Sequence, residues 1–156
     1  MDIFETIRTR RSVRNFDSSK KITRRQIEKL LQAAWWAPSA GNLRSRVFIV
    51  VEDQEVKEKL VGASLNQTFI AQAPVVIVSC ADLEKSATRY GERGRSLYAL
   101  QDASIASQNI LLAATGMGLG SVWVGAFDER KVSQILDLPK SLRPIAIIPI
   151  GYPKRR

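Results

Sequence analysis

Residues 108–121 read Gln-Asn-Ile-Leu-Leu-Ala-Ala-Thr-Gly-Met-Gly-Leu-Gly-Ser, and the order of elements around these glycines decides the fold class. A dinucleotide fingerprint follows a strand and opens a helix, so that the pyrophosphate sits on the helix N-terminus. Here the order is reversed. Leu97, Leu100, Ser104, Ser107, Leu111 and Ala114 recur at helical steps before the glycines, and Ser121–Val124 after them reads as a strand. Gly116, Gly118 and Gly120 therefore stop a helix and turn the chain into a strand. The spacing predicts one long helix from Gly94 to Met117, with a run of small residues at Ala103–Ala106 that admits a close neighbour. That neighbour is either another helix of the same chain or the same helix of a second copy.

Working outward, helices and strands are mixed along the chain. Asp2 to Thr9 is a short amphipathic helix with Ile3, Phe4 and Ile7 on one face. Thr23 caps a helix running to Trp36, with Ile27, Leu30, Leu31 and Ala34 as its apolar stripe. Pro38-Ser39-Ala40-Gly41-Asn42 is a loop, Val47–Val51 a buried strand, and Asp53–Gly62 a short helix that Gly62 closes. Pro74–Cys80 and Ile145–Gly151 are further strands, and Asp128–Leu136 is a helix. Neither repeats nor a linker interrupt the order, so residues 1–156 read as a single domain.

Composition narrows the chemistry. The chain of 156 residues is 45% hydrophobic and 25% charged, which is globular composition, with no histidine and one cysteine, Cys80. Disulfides, Cys/His zinc sites, histidine-held haem and imidazole bases are thereby excluded. No HExxH, GxSxG or GxxxxGK[ST] motif occurs, so an enzyme built on this chain would lean on an organic cofactor. Met1-Asp2 does not open a secretory signal, and the longest apolar stretches, Ala73–Val78 and Pro144–Ile150, are strand-length. The expectation is a soluble cytoplasmic protein with no membrane contact. Cys80, in an apolar strand, reads as an inert buried thiol.

The net charge of +9 is unevenly spread. Residues 1–25 carry eight basic and three acidic groups, residues 139–156 carry five basic groups and no acid, and the rest of the chain nets −1. If the two ends meet, they form one cationic site suited to an anion; otherwise they are solvated surface. The run Arg8-Thr9-Arg10-Arg11-Ser12-Val13-Arg14-Asn15-Phe16 supplies guanidinium forks and a hydroxyl, the donor set for a phosphate. Trp35, Trp36 and Trp123 either stack on a flat ring or fill the core.

Taken together, these motifs resemble the FMN-dependent nitroreductase family. The resemblance rests on Arg10-Arg11-Ser12-Val13-Arg14-Asn15-Phe16, on Ala37-Pro38-Ser39-Ala40-Gly41-Asn42 before a Phe-Ile-Val-Val strand, and on Ala73–Val78. Gln108–Ser121 and the closing Gly151-Tyr152-Pro153 extend it over nearly the whole chain. It implies an α+β fold with a central, mostly antiparallel sheet flanked by helices, and an intertwined homodimer with FMN at two interface sites. By that resemblance Arg10, Arg11 and Ser12 hold the flavin phosphate and ribityl chain, and Arg14 lies at the N1/O2 edge. Pro38, Ser39, Ala40 and Asn42 reach the flavin from the partner subunit. Val124, Gly125 and Ala126 meet the ring near N5, Asn66 or Gln67 meets its pyrimidine edge, and Lys154 and Arg156 complete the phosphate site. Hydride would pass from NADH or NADPH through the flavin to a nitroaromatic, quinone or similar small-molecule acceptor, by ping-pong kinetics.

Departures from the family pattern are informative. Leu43-Arg44-Ser45-Arg46 stands where many members have Gln-Pro and an aromatic or apolar residue. Arg44 and Arg46 are there either to favour an anionic acceptor or the 2′-phosphate of NADPH, or as a solvated loop. Gly125 stands where some relatives place a glutamate. Two readings outside this enzyme class are a basic binding module that contacts nucleic acid through its charged ends, and a flavin store or sensor. The sequence carries no nucleic-acid motif.

Overall fold

A computed structural model describes residues 1–155; Arg156 lies outside the described residues. In chain order the elements are α1 (Ile3–Thr9), α2 (Arg24–Trp35), β1 (Arg46–Val51), α3 (Gln54–Ala63), α4 (Phe69–Gln72) and β2 (Val75–Asp82). There follow α5 (Leu83–Arg93), α6 (Ala99–Gly116), β3 (Gly120–Ser121), α7 (Glu129–Ile135) and β4 (Leu142–Gly151). The strands form one antiparallel sheet in the order β1-β2-β4-β3. The fold is α+β, as expected.

β2 is apolar on both faces because both faces are covered. Val75 and Ile77 join Ile148 and Ile150 of β4 under α2 and α6. Val76, Val78 and Ile147 face the other way, under Leu60 of α3, Ile70 of α4 and Val132 of α7. The alternation with period two is the strand geometry itself. It explains why β2 reads as an unbroken hydrophobic run.

Local signals hold at several ends. Thr23 and Gln26 make a reciprocal capping box: Thr23 Oγ1 accepts the Gln26 N–H at 3.1 Å, and Gln26 Oε1 accepts the Thr23 N–H at 2.9 Å. Asp2, Asp53 and Asp128 cap α1, α3 and α7 in the same sense. Other expectations need correction. The helix read from Gly94 to Met117 is shorter: α6 begins at Ala99, after a π turn at Gly94–Tyr98, and α5 precedes it. Gly91, at φ 60°, and the tight contact of Gly94 with Ser86 break the helical period there. Gly62 lies inside α3, which Ser64 ends before Leu65 and Asn66 turn at positive φ. The strand read at Ser121–Val124 is laddered only at Gly120–Ser121, with a lone bridge from Val124 to Ile147.

The small residues of α6 pack within this chain, against α2 and the sheet. Trp35 and Trp36 are not core: they are 57% and 69% exposed, and Trp123 is also exposed. Ile3, Phe4 and Ile7 leave the apolar face of α1 uncovered in the protomer. No helix among the described residues is long and apolar enough to cross a membrane. Leu30 is fully buried between α2, α6 and the sheet. Leu30→Ala should cost about 2–5 kcal/mol, read as a lower urea midpoint with an unchanged m-value.

Candidate functional site

The two basic ends of the chain meet. Past α1, the Val13 N–H donates to Ser121 O at 2.9 Å, and Ser12 pairs with Ser121 beside β3. The segment then runs along the end of β4: the Asp17 N–H donates to Tyr152 O, and the Lys154 N–H donates to Asn15 O, each at 2.9 Å. Gly120 makes the approach possible, because a Cβ there would lie 2.8 Å from Val13 Cβ. Arg10, Ser12, Arg14 and Lys154 are thereby gathered on one edge. Among the described residues none of Arg10, Arg14 and Lys154 has a carboxylate within ion-pair distance. Arg11 turns Nη1 back onto the carbonyls of Arg8 and Arg10, at 2.8 and 2.9 Å, and so caps the end of α1. Asp17 is the acid of this segment. Hydrogen bonds from the Ser19 hydroxyl and N–H, with smaller help from Lys20 and Lys154, hold its carboxyl below the usual range.

The Pro38–Asn42 loop belongs to the other end of the sheet. Gly41 and Asn42 both take positive φ, at 61° and 57°, in a short turn over Ala40–Asn42. Two polar groups hold it: Asp102, which sequence reasoning did not single out, and Arg46, which it left open between facing an anion and a solvated loop. Asp102, buried in α6, accepts the Ala40 N–H on Oδ1 at 3.0 Å. Arg46, at the start of β1, donates from Nη1 to Pro38 O at 2.8 Å and to Asp102 O at 3.0 Å, and from Nη2 to Ala37 O at 2.7 Å. Burial lowers the Arg46 pKa, Asp102 opposes that shift and Arg44 adds to it. Arg46 is therefore neither solvated nor free for a substrate. Arg44 lies flat on Trp35, 4.0 Å from the ring centre, while its N–H donates to Ser39 Oγ.

A third group gathers around the bridge between Val124 and Ile147 of β4. Val124 exchanges both main-chain hydrogen bonds with Ile147, at 2.9 Å each, and leaves Gly125 and Ala126 exposed. Gln67 Nε2 donates to Ala126 O at 3.2 Å, so the Asn66–Gln67 turn and the Val124–Ala126 segment share one surface. A cavity of about 370 Å³ opens beside Gly125, lined also by Leu100, Ser104, Phe127 and the Arg143–Glu129 ion pair.

In sequence terms, the site residues fall into three places in one protomer. Arg10–Arg14 and Lys154 lie at the Val75/Ile150 end of the sheet, and the Pro38–Asn42 loop at the Arg46/Ala81 end. Six strand steps of roughly 3.3 Å separate these ends by about 20 Å. Arg46 and Asp102 carried a weak signal: an arginine opening an apolar strand and an acid inside a small-residue helix.

The chain belongs to the nitroreductase family, whose model matches residues 7–68 and 61–152. It is 38% identical to a Methanothermobacter thermautotrophicus protein provisionally described as an NADH dehydrogenase/NAD(P)H nitroreductase, over 98% of this chain and 78% of that one. The crystal structure of a nitroreductase family protein from Clostridium novyi superposes with a TM-score of 0.90 at 33% identity, covering 99% of this chain and 86% of that one. An FMN-dependent nitroreductase from Clostridium difficile gives 0.85 at 30% identity, covering 98% and 88%.

Two outcomes follow from the geometry. Gly120→Ala should push Val13 off Ser121, so that the Val13 amide exchanges hydrogen markedly faster than in the parent protein. Burial pushes the Cys80 thiol up to about 12, so the native protein should not react with a disulfide reagent at pH 8 and should react once unfolded.

Proposed function

We propose that this chain is an FMN-dependent NAD(P)H oxidoreductase that reduces nitroaromatics, quinones or similarly electron-poor small molecules, and that it works as a homodimer of single-domain subunits in the cytoplasm. The observation that carries the reading is the junction of the two cationic ends at Asn15 and Lys154. It sets guanidinium, hydroxyl and ammonium donors on one edge, the chemistry that a phosphate monoester needs.

Arg10, Arg11 and Ser12 hold the flavin phosphate and ribityl chain, with Lys154 beside them. Arg14 stabilises negative charge at the N1/O2 edge of the reduced ring, as a fixed cation does for a developing anion. Val124, Gly125 and Ala126 offer main-chain groups near N5, and Asn66 or Gln67 meets the pyrimidine edge. FMN supplies a ring that accepts hydride from the nicotinamide and passes it on, so the protein needs no imidazole. Because both half-reactions use one site, initial rates should follow ping-pong patterns.

The dimer has its own support. The Pro38–Asn42 loop lies about 20 Å along the sheet from the phosphate-binding edge of its own chain. A flavin that touches both is therefore shared between two copies. The exposed Ile3, Phe4, Ile7, Trp35 and Trp36 supply apolar surface for such a contact.

Purified protein should show a yellow, two-banded flavin spectrum that bleaches when NADH or NADPH is added without oxygen. A colourless protein that also fails to bind added FMN overturns the reading. Arg10→Ala removes a charge-assisted contact worth about 1.5–3 kcal/mol, so FMN should bind roughly 10- to 100-fold more weakly in equilibrium titration.

A further inference from the structure

Arg46 and Asp102 stand outside every role assigned so far, yet both are buried, at 9% and 2% exposure. They come from different layers, the first residue of β1 and the first turn of α6. Between them they hold three residues of one loop: Ala37 and Pro38 through their carbonyls, and Ala40 through its N–H. Arg46 Nη1 also bonds Asp102 O at 3.0 Å, which locks the two anchors to each other. Asp102 Oδ2 is buried with no hydrogen-bond partner.

We infer that Arg46 and Asp102 form a positioning pair that fixes the Pro38–Asn42 loop in its flavin-contacting shape, so that a substitution in one subunit loosens the flavin bound by its partner. This rests on the loop's proposed contact with FMN. The physical case is the number of constraints. A short turn with two positive-φ residues has little main-chain bonding of its own, only Asn42 N–H to Ser39 O at 3.0 Å and Leu43 N–H to Ala40 O at 3.2 Å. Its shape must come from outside. A planar guanidinium that reaches several carbonyls at once does this better than any flexible ammonium. A carboxylate whose second oxygen is left unpaired is costly for stability alone, and the cost is intelligible where the first oxygen holds a functional loop.

The test uses the FMN-loaded dimer and three variants. Asn42→Ala examines the loop's contact itself. Asp102→Asn replaces the charged acceptor of the Ala40 N–H with a neutral, weaker one, and Arg46→Lys keeps the charge but loses the fork that reaches several carbonyls at once. In each, FMN affinity, the visible circular dichroism of the bound flavin and Tm are measured. The expected result is about tenfold weaker FMN binding in all three, the scale of one charge-assisted hydrogen bond, with an altered flavin dichroism band. A merely structural pair would lower Tm and leave affinity and dichroism of the folded protein unchanged, which overturns the inference while Asn42→Ala keeps the loop reading alive. If Asn42→Ala binds FMN normally, the loop reading fails and this inference fails with it. If Asp102→Asn and Arg46→Lys both fail to fold while Asn42→Ala folds, the pair is a determinant of the fold and the inference is likewise overturned.

Discussion

The double burial of β2 is the constraint on which the rest of the molecule depends. From Val75 to Ala81 this strand has no exposed surface, and it is paired on both sides, with one irregularity toward β4 between Ser79 and Cys80. A strand in that position cannot slip, because a one-residue shift would exchange the sets under α2/α6 and under α3/α4/α7. Fixing β2 fixes both ends of the sheet. At one end, Ile150 and Gly151 of β4 receive β3, and β3 receives the arginine segment. At the other, Ala81 faces Arg46, from which the Pro38–Asn42 loop is held. The two surfaces thus have a set separation along the sheet.

What was legible in the sequence follows from what is local. Caps at Thr23 and Asp53 depend on a hydrogen bond three residues away, and both stand where they were read; Asp2 and Asp128, read as the first residues of their helices, are caps of the same kind. β2 and β4 were visible because a strand buried on both faces has no polar positions. α5 was missed for the opposite reason. Its residues are mostly exposed, so it carries no strong apolar stripe, and Gly91 and Gly94 interrupt it. The meeting of the charged ends could be suspected from their shared sign. It could not be derived, since main-chain pairing of residues 12–17 with residues 121 and 152–154 leaves no local mark. Of the two readings of the tryptophans, core fails because residue type alone does not distinguish core from surface.

Arg44 and Arg46 show how two identical residues two positions apart can have unrelated work. Arg44 sits at φ 50°, stacked on Trp35 at the surface. Arg46 begins the strand and points into the protein, where desolvation disfavours its charge and Asp102 restores part of what is lost. The two do not form an ion pair: Arg46 reaches the main-chain carbonyl of Asp102, and Asp102 Oδ1 accepts the Ala40 N–H.

The same electrostatic reasoning bears on the cationic edge. Arg10, Arg14 and Lys154 are brought together by main-chain hydrogen bonds, which are indifferent to the repulsion that they create. Exposure to water and salt keeps that repulsion small, and a bound dianion would turn it into attraction and stabilise the folded state by mass action. Asp17 is the internal counterweight. Its carboxyl titrates below the normal range, so its contribution is present above the unfolded value and is lost as the pH falls through the folded one. Acid therefore removes the one local negative charge while the cations stay. The edge becomes more positive just as the segment that builds it loses support.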